Sequence, residues 1–250
     1  MNNTETLEKL KNMRLHAMAQ LHNQYMESQQ NNSFTPDEYI ALLADHQWES
    51  RQNNKIQRLL LQAGFKQKAT LPEINYNQSR NLDKNAFNRL AALTFIEKKE
   101  NIIITGASGV GKSYLSQAIG HQACMQEHRV IYTGTARLFG KLKVAKLDGT
   151  YLKEMKKLNK AQLLILDDFG LQELDNFARE TLLEIIDDRY QQTSTIIASQ
   201  LPVATWYDII GEGTIADAIL DRIVNSSHRI ELKGESMRKA IKTVESNKNN

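Results

Sequence analysis

A single cysteine, Cys124, excludes an intramolecular disulfide, so nothing in the sequence calls for an oxidising compartment. Long apolar runs are missing too. No stretch approaches the roughly 20 consecutive apolar residues that a membrane-spanning helix needs. The opening residues, MNNTETLEKLKNMRLHAMAQ, spread charge through their apolar positions and have no continuous apolar core, so a signal peptide is not expected. Charge of one sign is scarce: 32 basic against 29 acidic side chains leave a net +3, too little to identify a partner without knowing where the charges lie. These absences lead to the expectation of a soluble, cytoplasmic protein. What is present is a 41% share of hydrophobic residues in 250, enough for a substantial core and too much for a disordered chain.

The patterning changes along the chain. From Thr4 to about Gln30, Leu7, Leu10, Leu15, Met18, Leu21 and Tyr25 recur at helical spacing. After the polar break SQQNNS, Thr35-Pro36-Asp37-Glu38 reads as a helix start: Thr35 as cap, Pro36 in the first turn, Glu38 returning a capping-box bond. That helix is predicted to run to Gly64, whose freedom at positive φ suits a helix end. Residues 1–68 are therefore expected to be an all-helical interaction domain, 69–81 a linker and 82–250 a second domain. In the latter, NIIIT, RVIYT, LLILD, STIIAS and HRIEL read as strands, the first four each followed by a helical segment. That alternation predicts an α/β fold, a parallel sheet sandwiched by helices.

Between the first of these strands and its helix stands Gly106-Ala107-Ser108-Gly109-Val110-Gly111-Lys112-Ser113, the G-x-x-x-x-G-K-[ST] of a P-loop. The glycines let successive backbone N–H groups turn inward on an anion, and the helix N-terminus adds partial positive charge there. Lys112 would reach the β- and γ-phosphates of ATP, and Ser113 would ligate Mg²⁺.

The stretch LLILDDFG, Leu163 to Gly170, has three readings. As a kinase D-F-G it lacks the accompanying H-R-D loop, and a P-loop is not a kinase feature. As a GTPase D-x-x-G it lacks a guanine-reading N-K-x-D, since Asn159-Lys160-Ala161-Gln162 has no aspartate and precedes it. As a Walker B strand it fits: Leu163 to Leu166 suit a strand buried on both faces, Asp167 would hold Mg²⁺ through water, and Asp168 would act as general base. His121 and His128 flank Cys124 without a fuller ligand set, so no metal besides nucleotide-bound Mg²⁺ is expected.

A further strand, RVIYT, lies between P-loop and Walker B, as in P-loop ATPases with an additional strand, and later residues resemble those of AAA+ proteins. Gln200 follows STIIAS where that class carries sensor one, Arg222 stands where it carries an arginine finger, and Arg238 matches sensor two. Nearly the whole chain resembles the IstB-type ATPases of bacterial insertion sequences, through GVGKSYLSQAIG, LLILDDFG, LLEIIDDRYQ and, most specifically, the stretch from Ser194 to Arg238. The resemblance implies an ATP-dependent, DNA-binding homo-oligomer that works with a transposase (IstA) in selecting duplex target DNA and stimulating insertion. DnaC and DnaA stand nearest to that family, so a DnaC-like helicase loader is the alternative, and an ATP-holding assembly protein with little turnover a third.

The chain supplies its own candidate DNA surface. Between RVIYT and LLILD lie Arg137, Lys141, Lys143, Lys146, Lys153, Lys156, Lys157 and Lys160, opposed only by Asp148 and Glu154. Two short helices broken near Asp148-Gly149 are predicted there, where DnaA-like proteins carry an additional helix. Their cations would neutralise phosphates in a sequence-tolerant, salt-sensitive manner. Charge is near balance in the N-terminal helices, which fits protein contact better than DNA reading. Lys9, Lys11 and Arg14 are the phosphate candidates there, and Met13, Met18 and Met26 read as core or interface filling.

Overall fold

A computed structural model describes residues 3–27, 34–76 and 80–237. It divides into two compact units, Met1–Arg58 and Leu59–Asn250. The first is helical: α1 (Asn3–Asn12), α2 (His16–Glu27) and α3 (Pro36–Ala63) as far as Arg58. The periodic stretch predicted from Thr4 onward is two helices, because Arg14 takes φ 59 and the chain turns there. No glycine or proline marks that break. Gln47 of α3, itself buried, caps α2 by accepting from the N–H groups of Ala17 and Met18 at 3.1 and 3.3 Å. The capping box at the start of α3 is formed as read, with Thr35 N donating to Glu38 Oε2 at 2.7 Å and Glu38 N to Thr35 Oγ1 at 3.3 Å. Met13 and Met26 are exposed and Met18 is half-buried, so none of the three fills the core.

The second unit follows in the order α4 (Lys84–Ala91), α5 (Thr94–Glu97), β1 (Asn101–Gly106), α6 (Lys112–Met125), β2 (Val130–Gly134), α7 (Thr135–Leu147), α8 (Tyr151–Asn159), β3 (Leu163–Phe169), α9 (Asn176–Arg189), β4 (Ser194–Ser199), α10 (Trp206–Ile210), α11 (Gly213–Val224) and β5 (Ser227–Leu232). The described part of 69–81, expected as a linker, carries packed residues: Ala69, Ile74 and Arg80 are all buried.

The five strands form one sheet in the order β2-β3-β4-β1-β5, and every pair is parallel. Leu163 to Leu166 are fully buried because β3 has a neighbour on each side and helices over both faces. Alternation sorts its side chains: Leu163 and Ile165 pack with Leu115, Ala118 and Ile119 of α6, while Leu164 and Leu166 join Leu182, Ile185 and Trp206 on the opposite face. Each such leucine, wholly withdrawn from water, stabilises the fold by about 1.5–3 kcal/mol before cavity effects.

The carboxyl ends of the strands then share one edge. Register pairs Thr105 with Ser199 and Phe169 with Ser199, so the ends of β1, β4 and β3 lie side by side. Where the sequence predicts a strand ending at Asp167, β3 continues to Phe169 through an irregularity in its pairing after Leu166. Asp168 takes φ 58 at that point, a left-handed conformation that aspartate tolerates better than most side chains.

Candidate nucleotide site

Residues 106–113 leave β1, which lies between β4 and β5, and enter α6 at this edge. Gly106 is required by space as well as by conformation. It sits at φ 147, and a Cβ there would lie 2.3 Å from the Leu232 carbonyl oxygen on β5. Val110 is fully buried and anchors the loop. Lys112 is buried, with Nζ donating to the Ala107 carbonyl at 2.8 Å, so its ammonium lies folded over the loop. Ser113 Oγ donates to Asp167 Oδ1 at 3.0 Å. Two segments far apart in sequence, the P-loop and the end of β3, therefore meet in one place.

Asp167 is 1% exposed and held at several points. Its Oδ1 also accepts from Asp168 N at 3.0 Å, its Oδ2 accepts from the Tyr132 hydroxyl, and its carbonyl accepts from Thr135 Oγ1 at 2.9 Å. Burial, reinforced by the Asp167 and Asp168 carboxylates, pushes the Tyr132 phenol well above its ordinary pKa, so it remains a donor. Asp168 is differently placed. Its carboxylate is part-exposed, and Lys66 Nζ approaches it at 3.7 Å while lying 5.8 Å from the centre of the Tyr132 ring. An ion pair so open to solvent contributes at most about 1 kcal/mol. The backbone of Lys66 is fixed more firmly. Gln117 Oε1 accepts from Lys66 N and Gln67 N at 2.8 and 3.2 Å, while its Nε2 donates to the Ser113 carbonyl at 2.9 Å.

Serine hydroxyl and carboxylate oxygens side by side suit Mg²⁺, which takes few protein oxygens and leaves room for phosphate and water. Tyr132 orients that carboxylate, and its removal has a defined expected result. Tyr132→Phe should fold normally yet need about 10–100-fold more Mg²⁺ for ATP binding, the range for lost partners of metal-ligand side chains. A magnesium titration of nucleotide binding measures this; an unchanged midpoint eliminates the orienting role.

The remaining predicted residues divide. Gln200 directly follows β4 and, by register, stands level with Gly106 between the P-loop strand and β3. Arg222 on α11 makes contacts with neither: Nε pairs with Asp187 Oδ1 at 2.5 Å, Nη1 donates to the Ala218 carbonyl at 2.8 Å, and the guanidinium lies 5.9 Å from the centre of the Tyr190 ring. Arg238 falls outside the described residues. Arg137, Lys141, Lys143 and Lys146 of α7, Lys153, Lys156 and Lys157 of α8, and Lys160 just beyond are all exposed, with the helices broken at Asp148-Gly149 as predicted. Lys141 pairs with Glu154 at 2.6 Å, Lys143 with Asp175 at 3.2 Å, and Lys146 lies over the Phe177 ring. Tyr132, Lys66, Gln117 and Arg80 were not legible as site residues. The only cue was a tyrosine in the strand predicted to precede Walker B.

A parallel sheet in this order, with a P-loop after β1 and a buried aspartate at the end of β3, defines a P-loop ATPase fold of the AAA+ class. DnaI shares it with a TM-score of 0.56 and 22% identity, over 71% of this chain and 94% of that one. AMPPCP-bound DnaA from Aquifex aeolicus gives 0.54 and 24%, over 72% and 55%. The chain belongs to the family described as IstB-like ATP binding protein, whose sequence pattern matches residues 8–245. Among curated relatives, the insertion sequence ATP-binding protein y4pL of Sinorhizobium fredii is 42% identical over 94% of this chain and 96% of its own length. The ATP-binding protein of insertion sequence IS21 from Pseudomonas aeruginosa is 30% identical over 80% and 76%. Among the described residues no helix is long and apolar enough to cross a membrane.

Proposed function

We propose that this protein hydrolyses ATP as the DNA-binding helper of a transposase, assembling as an oligomer on duplex DNA to select targets and stimulate insertion. The observation that supports the enzymatic part is the 3.0 Å contact between Ser113 and Asp167, which brings the P-loop and the carboxylate near the end of β3 together. Ser113 and Asp167 would hold Mg²⁺, which would supply positive charge to offset that of the phosphates. Lys112 and the loop N–H groups bind the phosphates. Asp168, solvent-accessible on the irregular end of β3, accepts a proton from the water that attacks the γ-phosphorus, as ADP departs. Gln200, level with Gly106, contacts the γ-phosphate or that water. Arg222 of one subunit, freed from Asp187, stabilises the charge on a neighbour's phosphate, with Arg238 as the sensor-two cation. Hydrolysis then requires assembly.

Transposition is favoured over helicase loading because the relatives with 42% and 38% identity are named as insertion sequence proteins, whereas likeness to DnaI is one of fold. Co-purification separates the two: recovery of a transposase supports the first, and recovery of a replicative helicase overturns it. ATP binding with little turnover, with or without DNA, would support the assembly-protein reading.

For DNA, the α7–α8 hairpin provides exposed cations on a rigid support. Lys153, Lys156 and Lys157 have no ion-pair partner among the described residues, so they release counterions most readily on meeting phosphate. Replacing all three by alanine should weaken duplex binding and lower the slope of log affinity against log salt by roughly 2–3, near 0.9 per lost contact. Binding measured across a salt series checks this. An unaltered slope removes the hairpin from the DNA interface.

A further inference from the structure

Arg80 and Arg189 are both almost completely buried, at 3% and 2% exposure, and the contrast between them is informative. Each nitrogen of Arg189 has a partner. Its Nε donates to Thr195 Oγ1, Nη1 to the Leu158 and Ala161 carbonyls, and Nη2 to the Ser194 carbonyl. It braces the ends of α8 and β4 with four of its five N–H groups. Arg80 donates from Nη1 to the Val110 carbonyl at 3.2 Å and from Nη2 to the Asn75 carbonyl at 2.7 Å, with Met237 Sδ 2.9 Å from Nη1. Its Nε, although buried, has no hydrogen-bond partner among the described residues. No carboxylate among the described residues pairs with it. Neutral carbonyls satisfy some N–H groups but do not neutralise the cation, and an unpaired buried charge is costly to keep. Burial accordingly lowers the Arg80 pKa.

The position of this cation gives it a use. Val110 belongs to the P-loop, and a Cβ on Gly111 would lie 2.5 Å from Arg80 Nη1, so guanidinium and loop are in direct contact. Arg80 also lines a cavity of about 400 Å³ together with Gly109, Gly111, Lys112, Ser113 and Tyr114. Glu73 lines the same cavity but accepts from the Tyr114 hydroxyl at 3.2 Å. We propose that Arg80 is a nucleotide-binding residue, a second buried cation beside Lys112 that draws the phosphate chain of a nucleoside di- or triphosphate into this cavity. The inference rests on the reading of the loop as an ATP site. It supplies a counter-charge, arriving with the ligand, for a guanidinium held against the loop with no carboxylate partner among the described residues.

The full chain and its Arg80→Gln and Arg80→Lys variants test this by thermal melting with and without ADP and by ATP and ADP titration. Without nucleotide, Arg80→Gln should melt within about 2 °C of the parent or above it, since the neutral side chain lacks the buried charge. Its affinity for ATP and ADP should fall about 10–100-fold, the range for a lost charged hydrogen bond. That combination assigns the charge to the ligand. If nucleotide-free melting also drops, Arg80→Lys decides: restored affinity supports the proposal, and equal loss makes Arg80 a brace like Arg189. Parental affinity in Arg80→Gln overturns the inference alone, whereas a parent chain that binds no ATP removes the underlying reading as well.

Discussion

Asp168→Asn should bind ATP as tightly as the parent chain and hydrolyse it about 10²–10⁴-fold more slowly, the usual contribution of a general base. The substitution suits this position because asparagine also tolerates the left-handed conformation at φ 58, so the backbone of the β3 end is preserved. Asp167 keeps its contacts with Ser113 and Tyr132, and magnesium binding is left in place. Proton acceptance is removed, together with the solvent-exposed ion pair to Lys66. Single-turnover phosphate release beside a nucleotide titration separates the two effects, and parental hydrolysis would rule Asp168 out as the base. Lys112→Ala is the contrasting case, because loss of the ammonium that lies over the loop should abolish binding itself.

Arg222→Ala should reduce turnover of the assembled protein by about 10³–10⁵-fold, as removal of an arginine finger does. The structure makes this prediction sharper than the sequence alone. Arg222 is tied to Asp187 of its own chain, so the two roles of the side chain compete. If it acts on a neighbour, Asp187→Ala should leave hydrolysis unchanged or raise it. If it is only a strut between α11 and α9, Asp187→Ala and Arg222→Ala should lower the melting temperature alike and change turnover little. Mixing Arg222→Ala with Lys112→Ala subunits provides a second measurement: one has an intact loop, the other an intact arginine. Recovered activity at intermediate ratios demonstrates action between subunits, and none at any ratio removes it.

What the sequence revealed followed from how local each signal was. The strands were legible because a strand with neighbours on both sides and helices on both faces is written as an unbroken apolar run, as in Leu163 to Leu166. The capping box at Thr35 and the P-loop were legible because their parts lie within a few residues of one another. The break between α1 and α2 was hidden, since it is made by Arg14 at positive φ rather than by glycine or proline. The extension of β3 past Asp167 to Phe169 was hidden as well, since two adjacent carboxylates read as a strand end. Least legible were polar contacts between distant segments: Tyr132 on Asp167, Gln117 on Lys66, and Arg80 on Val110. Each is one ordinary residue in its own neighbourhood and becomes part of the site only when the sheet is assembled.

The seating of the P-loop strand against β5 has a consequence for biosynthesis. Asn101 N donates to the Ser226 carbonyl, 125 residues later, and the Leu232 carbonyl occupies the space beside Gly106. At translation rates of about 5–20 residues per second, β1 waits roughly 6 to 25 s for that neighbour to be made. A nascent chain stalled before residue 227 would carry the full P-loop sequence without the floor on which the loop rests, and should not compete for ATP.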